Sequence, residues 1–108
     1  MANLTVEIVT PEAALWQGPA TSLKSRTSDG ELMILAQHAP LVGDVLAGVV
    51  EVTSSDGVAY IAVDGGYLHV AGDGDGTRAT VLASVAEVAD SESAALEALA
   101  RLTASLTE

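Results

Sequence analysis

Leu4-Thr5-Val6-Glu7-Ile8 alternates apolar and polar residues, the period of a strand with one face buried and the other in water. Leu23-Lys24-Ser25-Arg26 alternates in the same way and sets Lys24 and Arg26 on one face. Further apolar runs follow at Val42 to Leu46, Val49 to Thr53, Tyr60 to Val63, Tyr67 to Ala71 and Arg78 to Ala83. Turn residues separate them: Asp29-Gly30, Ala47-Gly48, Asp56-Gly57, Asp64-Gly65-Gly66 and the run Gly72 to Gly76. Asp-Gly suits a tight hairpin because glycine takes the positive φ that the turn requires. Gln17-Gly18-Pro19 also reads as a turn, directly after Trp16. Short strands at this spacing predict an all-β sandwich or barrel up to about Ser84.

Beyond Ala83 glycine disappears and Ala, Leu, Ser and Glu take over, which predicts a single helix. Asp90 or Ser91 is placed to cap it, and Asp90 with Glu92 complements the positive end of its dipole. Ala95, Leu96, Leu99, Leu102 and Leu106 share a stripe expected to pack on the sandwich, with Glu97, Arg101 and Glu108 opposite. Glu97 and Arg101 have the i,i+4 spacing of an ion pair. The expected division is a β-domain over residues 1–86 and a helical segment over 87–108. The fold class is mainly β with one C-terminal α-helix.

A chain of 108 residues with no Phe, one Trp and two Tyr must build an aliphatic core, and Trp16 is expected to contribute to it. Four Lys and Arg against fifteen Asp and Glu give a net charge of −11, which argues against nucleic acid and against direct insertion into anionic lipid. No apolar run approaches the roughly 20 residues of a membrane-spanning helix. The absence of cysteine and of a signal-peptide pattern predicts a cytosolic setting.

Motifs for chemistry are missing. No phosphate loop is present, and Gly72-x-Gly74-x-Gly76 lacks the spacing of a dinucleotide site. Asp73-Gly74-Asp75-Gly76 does not fit a calcium-loop register and reads as a turn. His38 and His69 are the two histidines, with neither triad nor metal spacing around them. His69 should point away from the face of Leu68 and Val70, and His38, before Ala39-Pro40, belongs to a loop. The expectation is no catalytic residue, no metal, no nucleotide site and no cofactor. The alternative reading is a stand-alone sandwich binding a small ligand or metal through His38, His69 and the Asp-Gly loops.

Five segments in order resemble the epsilon subunit of the F-type ATP synthase. They are Val6 to Glu12, Leu15-Trp16-Gln17-Gly18, Arg26 to Leu35 followed by His38-Ala39-Pro40-Leu41, Ala62 to Val70, and Thr80 to Ala83. The resemblance implies a ten-stranded sandwich that binds the gamma subunit of the central stalk and the ring of c subunits. By position it implies c-ring contact at Asp29, Gly30 and Glu31, and gamma contact at Thr10, His38, Ala39, Pro40 and Leu41. The C-terminal helix is the element from which the catalytic alpha and beta subunits could be reached. The implied place is peripheral, on the cytoplasmic side of the cell membrane. Gln37 stands where glycine is frequent before His-Ala-Pro. The family's second helix and its nucleotide signature are not reproduced in Leu96 to Leu102, so neither ATP sensing nor a strong inhibitory tail is expected.

Overall fold

Alternation becomes sheet wherever one side of a strand can be buried, and the computed structural model, which describes residues 3–74 and 76–106 without the side chains of 73, 105 and 106, has ten strands. They are β1 (Leu4–Val9), β2 (Ala14–Ala20), β3 (Ser22–Thr27), β4 (Gly30–Leu35), β5 (Leu41–Val45), β6 (Gly48–Ser54), β7 (Gly57–Val63), β8 (Gly66–Asp73), β9 (Gly76–Ala83) and β10 (Ala86–Ala89). One helix, α1 (Glu92–Leu106), follows. The strands form two five-stranded sheets, ordered β2-β1-β9-β8-β5 and β10-β7-β6-β3-β4, so the fold is a β-sandwich. All pairings are antiparallel except β1 with β9, which run parallel from Leu4 beside Thr77 to Val9 beside Leu82.

The core is aliphatic. Val6, Ile8, Leu68, Val70 and Val81 of the first sheet meet Leu23, Ile34, Val52, Ile61 and Val63 of the second, all essentially inaccessible. Trp16 is only half-buried and packs against the rim of this cluster. Its strand corrects the turn expected at Gln17-Gly18-Pro19: β2 runs through all three residues. Proline is tolerated there because β2 is an edge strand whose outer side has no ladder to complete.

Both Asp-Gly hairpins form, with one refinement. Thr27 pairs with Gly30 and Ser54 with Gly57, so the two turn residues are Ser28-Asp29 and Ser55-Asp56. Only the glycines, which open the following strands, have positive φ, +116° and +121°. The hydroxyl that precedes each turn shapes it: Thr27 Oγ1 accepts from Asp29 N at 3.2 Å, and Ser54 Oγ from Asp56 N at 3.3 Å.

Ser91 caps α1, its Oγ accepting from Ala94 N at 3.1 Å. The helix lies on the outside of the second sheet against β7, β10 and β6. Its buried face differs from the expected leucine stripe. Ala95 and Ala98 are fully buried, Leu99 and Leu102 half so, and Leu96 is 52% exposed; the Leu106 and Glu108 side chains lie outside the described residues. The reason lies in the sheet: Ala62 is buried too, on the side of β7 opposite Ile61 and Val63, and small residues on both elements let them approach closely. Arg101 also pairs differently, closing on Glu87 of β10 through two hydrogen bonds of 2.9 and 3.3 Å. Glu97 is a lesser contribution to holding that guanidinium charged, behind Glu87.

Two polar residues among those described are buried: Thr77, whose hydroxyl accepts from Gln37 N, and Ser25. Ser25 is 2% exposed, faces inward with Leu23, and its hydroxyl has no hydrogen-bond partner among the described residues. A buried polar group left unpaired costs about 1–3 kcal/mol. Ser25→Ala is therefore expected to stabilise the fold by about 1 kcal/mol, read as a higher urea midpoint at unchanged slope. An unchanged or lower midpoint would show that the hydroxyl is satisfied in solution.

Candidate functional site

The strand registers of the first sheet build a surface that no single segment reveals. On its outer face Asp44, Tyr67, Leu82 and Val9 fall in one row across β5, β8, β9 and β1. Val42, His69, Thr80 and Glu7 form the next. Three of the four apolar members are strongly exposed, Val42 at 75%, Tyr67 at 63% and Leu82 at 48%, and Val9 is half-buried. A groove of about 340 Å³, lined by Val9, Thr10, Pro11, Tyr67, Leu82 and Ala83, runs along the end of this face. Beside it Arg78 Nη1 and Glu7 Oε1 pair at 2.7 Å, so charge on this face is largely neutralised internally. An exposed apolar patch with a polar rim is the form of a protein-binding surface.

Of the residues expected to touch gamma, Thr10 and His38 to Pro40 lie at the edges of that patch, whereas the Leu41 side chain packs against the core. Thr10 follows β1 at one corner, where it exchanges backbone hydrogen bonds with Ala13. Leu41 starts β5 at the diagonal corner, roughly 20 Å away by strand and residue spacings. His38, Ala39 and Pro40 lead into it. The backbone of Gln37 takes the left-handed φ of +70°, and its N–H donates to Thr77 Oγ1 at 2.9 Å. That conformation is the physical reason glycine suits this position. His38 donates from Nδ1 to Ala39 O at 2.8 Å, while His69 stands exposed on the outer face, away from Leu68 and Val70 as expected.

Asp29, Gly30 and Glu31 form a second surface at the other end of β5. The hairpin tip is exposed and acidic, though Glu31 leans back to Lys24 at 3.7 Å, which also reaches Glu51 at 3.6 Å. Ser28 Oγ donates to Asp44 Oδ1 at 2.7 Å, and this hydrogen bond holds the Asp44 carboxyl below the usual carboxylate range. Leu46 N donates to Arg26 O at 2.9 Å alongside.

Chemistry finds no comparable site. Among the described residues no three His, Asp or Glu side chains converge on a metal-sized position. Of the Asp-Gly run after Gly72, Asp75 lies outside the described residues. No described helix is long and apolar enough to cross a membrane.

Comparison with known proteins identifies the family of the sandwich. Residues 3–89 match the family model of the ATP synthase delta/epsilon chain β-sandwich domain. The ATP synthase epsilon chain of Rhodococcus jostii (strain RHA1) is 39% identical over 92 residues, covering 83% of this chain and 72% of that one. That of Mycolicibacterium smegmatis is 46% identical over 72 residues, 65% of this chain and 60% of the relative. In solved structures the fold recurs in the Euglena gracilis mitochondrial ATP synthase, with a TM-score of 0.71 at 23% identity over 82% of this chain. It recurs also in the central stalk and c ring of the Tetrahymena thermophila mitochondrial ATP synthase, with a TM-score of 0.62 at 13% identity over 78% of this chain. The chain spans 54% and 65% of those two partners' lengths. With its sandwich matched almost from end to end and its bacterial relatives well above 30% identity, the chain belongs to the ATP synthase epsilon chain family.

Proposed function

We propose that the chain is a non-catalytic rotor subunit of a proton-translocating ATP synthase, linking gamma to the c ring and so coupling proton flow to ATP synthesis. The observation that carries this reading is the placement of two different surfaces on one rigid sandwich. One is an apolar sheet face bordered by Thr10 and by His38 to Pro40; the other is the acidic tip Asp29-Gly30-Glu31. The apolar face suits a permanent contact with gamma. The tip suits basic polar loops of the c ring, which it would meet without entering lipid. Binding to membrane-embedded subunits reconciles a net charge of −11 with a peripheral place on the cytoplasmic side of the membrane. α1 lies on the opposite sheet, from which the catalytic subunits could be reached.

The test is a pull-down of the tagged chain from gently solubilised membranes, with partners identified by mass. Co-recovery of gamma, the catalytic subunits and the c ring is expected. It should persist when residues 92–108 are deleted, because α1 packs on the outside of the second sheet, away from the apolar face, and meets the tip only along a groove where Glu92, Leu96 and Leu99 stand near Gly30 and Glu31. Recovery of the chain alone, under conditions that keep the synthase whole, would reject the reading. Loss of gamma on deletion of the helix would make α1 the anchor instead.

A further inference from the structure

Resting on that reading, we propose that Ser28 and Asp44 are a positioning pair that sets the angle of the acidic tip relative to the apolar face. Asp44 belongs to both surfaces. Its register partner on β8 is Tyr67, which places it at the end of the row that continues through Leu82 to Val9. Its carboxylate in turn holds the hydroxyl of Ser28 in the β3–β4 hairpin turn at 2.7 Å.

The other bonds of the turn do different work. Thr27 Oγ1 accepts from Asp29 N at 3.2 Å and donates to Gly30 O at 2.8 Å, which fixes the internal shape of the hairpin. Those bonds would move with the tip if the hairpin swung. Among the described residues two hydrogen bonds tie it to β5 and the residue that follows: the backbone bond from Leu46 N to Arg26 O at 2.9 Å, at the base of the turn, and the Ser28 to Asp44 bond at its outer end. Two points of attachment determine a direction where one would leave a pivot. The second point is also charge-assisted, the stronger kind of hydrogen bond. It ties one carboxylate of an acidic end to a donor while Asp29 and Glu31 remain exposed. A rotor subunit that grips one partner with its face and another with its tip needs those two directions held constant.

The test measures the affinity of the full chain for purified c ring and, separately, for purified gamma, together with its melting temperature. Ser28→Ala should weaken ring binding roughly three- to tenfold, the size of one lost hydrogen bond, with gamma affinity unchanged and the melting temperature lowered by no more than the few degrees one such bond accounts for. Ser28→Thr, which keeps the hydroxyl, should restore it. Asp44→Ala should weaken ring binding, and the double variant should be no weaker than Asp44→Ala alone, because the two side chains act through one bond. Glu31→Lys serves as the reference for the tip itself. If Glu31→Lys weakens ring binding and Ser28→Ala does not, the positioning role is wrong. A parallel fall in ring affinity, gamma affinity and melting temperature would also overturn it, making the bond a general fold contact. If Glu31→Lys has no effect either, the assignment of the tip to the ring is what fails.

Discussion

Leu82→Asp is expected to weaken binding to gamma about 100-fold while leaving the sandwich folded. The side chain is 48% exposed on β9, between Tyr67 and Val9 and beside the groove that Thr10 and Pro11 line. In the free subunit the new carboxylate would stand in water, so the fold loses little. In the complex it would be desolvated among apolar side chains, and Arg78, the arginine of this face, already serves Glu7 at 2.7 Å. Burying an unpaired charge or losing a central apolar anchor each costs at least about 2 kcal/mol, and about 2.8 kcal/mol corresponds to 100-fold. Val58→Asp is the matched control. That residue is 42% exposed on β7, on the outer face of the other sheet, and its replacement should leave gamma affinity unchanged. Titration of purified gamma against both variants decides the matter. Equal affinities would remove the first sheet from the interface, and equal losses would point to a nonspecific effect of added negative charge.

Whether such a surface can be read from the sequence depends on the distance over which its cause acts. The hairpins were legible because their cause is local: Thr27-Ser28-Asp29-Gly30 and Ser54-Ser55-Asp56-Gly57 repeat one hydroxyl, turn and glycine pattern, and the structure places both glycines at positive φ. The Ser91 cap was legible for the same reason. The family resemblance also pointed to Thr10 and His38 to Leu41, of which Thr10 and His38 to Pro40 lie at the edges of the apolar face. Its centre was not legible. Val42, Tyr67 and Leu82 come from three strands, and only the registers of β5, β8 and β9 place them side by side. The same limit explains the helix. Its wheel marks a leucine stripe, but what chose Ala95 and Ala98 for burial is Ala62, more than thirty positions earlier on β7. Arg101 likewise has Glu97 within one turn and is held by Glu87 of β10. Proline inside β2 was misread because edge position, which excuses it, is a property of the sheet. The parallel pairing of β1 with β9 joins segments about seventy residues apart and has no local signature.

Gly66→Ala is expected to cost more stability than alanine at any other glycine of this chain. Gly66 opens β8 and pairs with Ala83 of β9 on one side and Val45 of β5 on the other. A Cβ there would stand 1.9 Å from Leu82 O, 2.9 Å from Leu82 C and 3.1 Å from the Ala83 Cα. These are backbone atoms of a paired strand, so no side-chain rotation relieves the overlap. Retreat is limited as well, because β8 is paired on both sides, to β9 and to β5. Gly57 separates this steric cost from the conformational one. Its φ of +121° is as unfavourable for alanine as the +155° of Gly66, yet nothing lies within 4 Å of its missing Cβ. Gly57→Ala should therefore lose about 1–2 kcal/mol, the cost of a positive φ, and Gly66→Ala about 4 kcal/mol or more, in the range reserved for severe steric conflict. Against a total of roughly 5–15 kcal/mol, the second loss removes between about a quarter and most of the stability. Urea unfolding of the two variants side by side gives the answer, and equal losses would mean that the strands yield without cost. The atom in conflict is the carbonyl of Leu82, so any folded Gly66→Ala protein must also shift β9 beneath the apolar face. It should bind gamma poorly and unfold early, whereas Leu82→Asp should bind poorly and unfold normally, and that contrast separates damage to the scaffold from damage to the surface it carries.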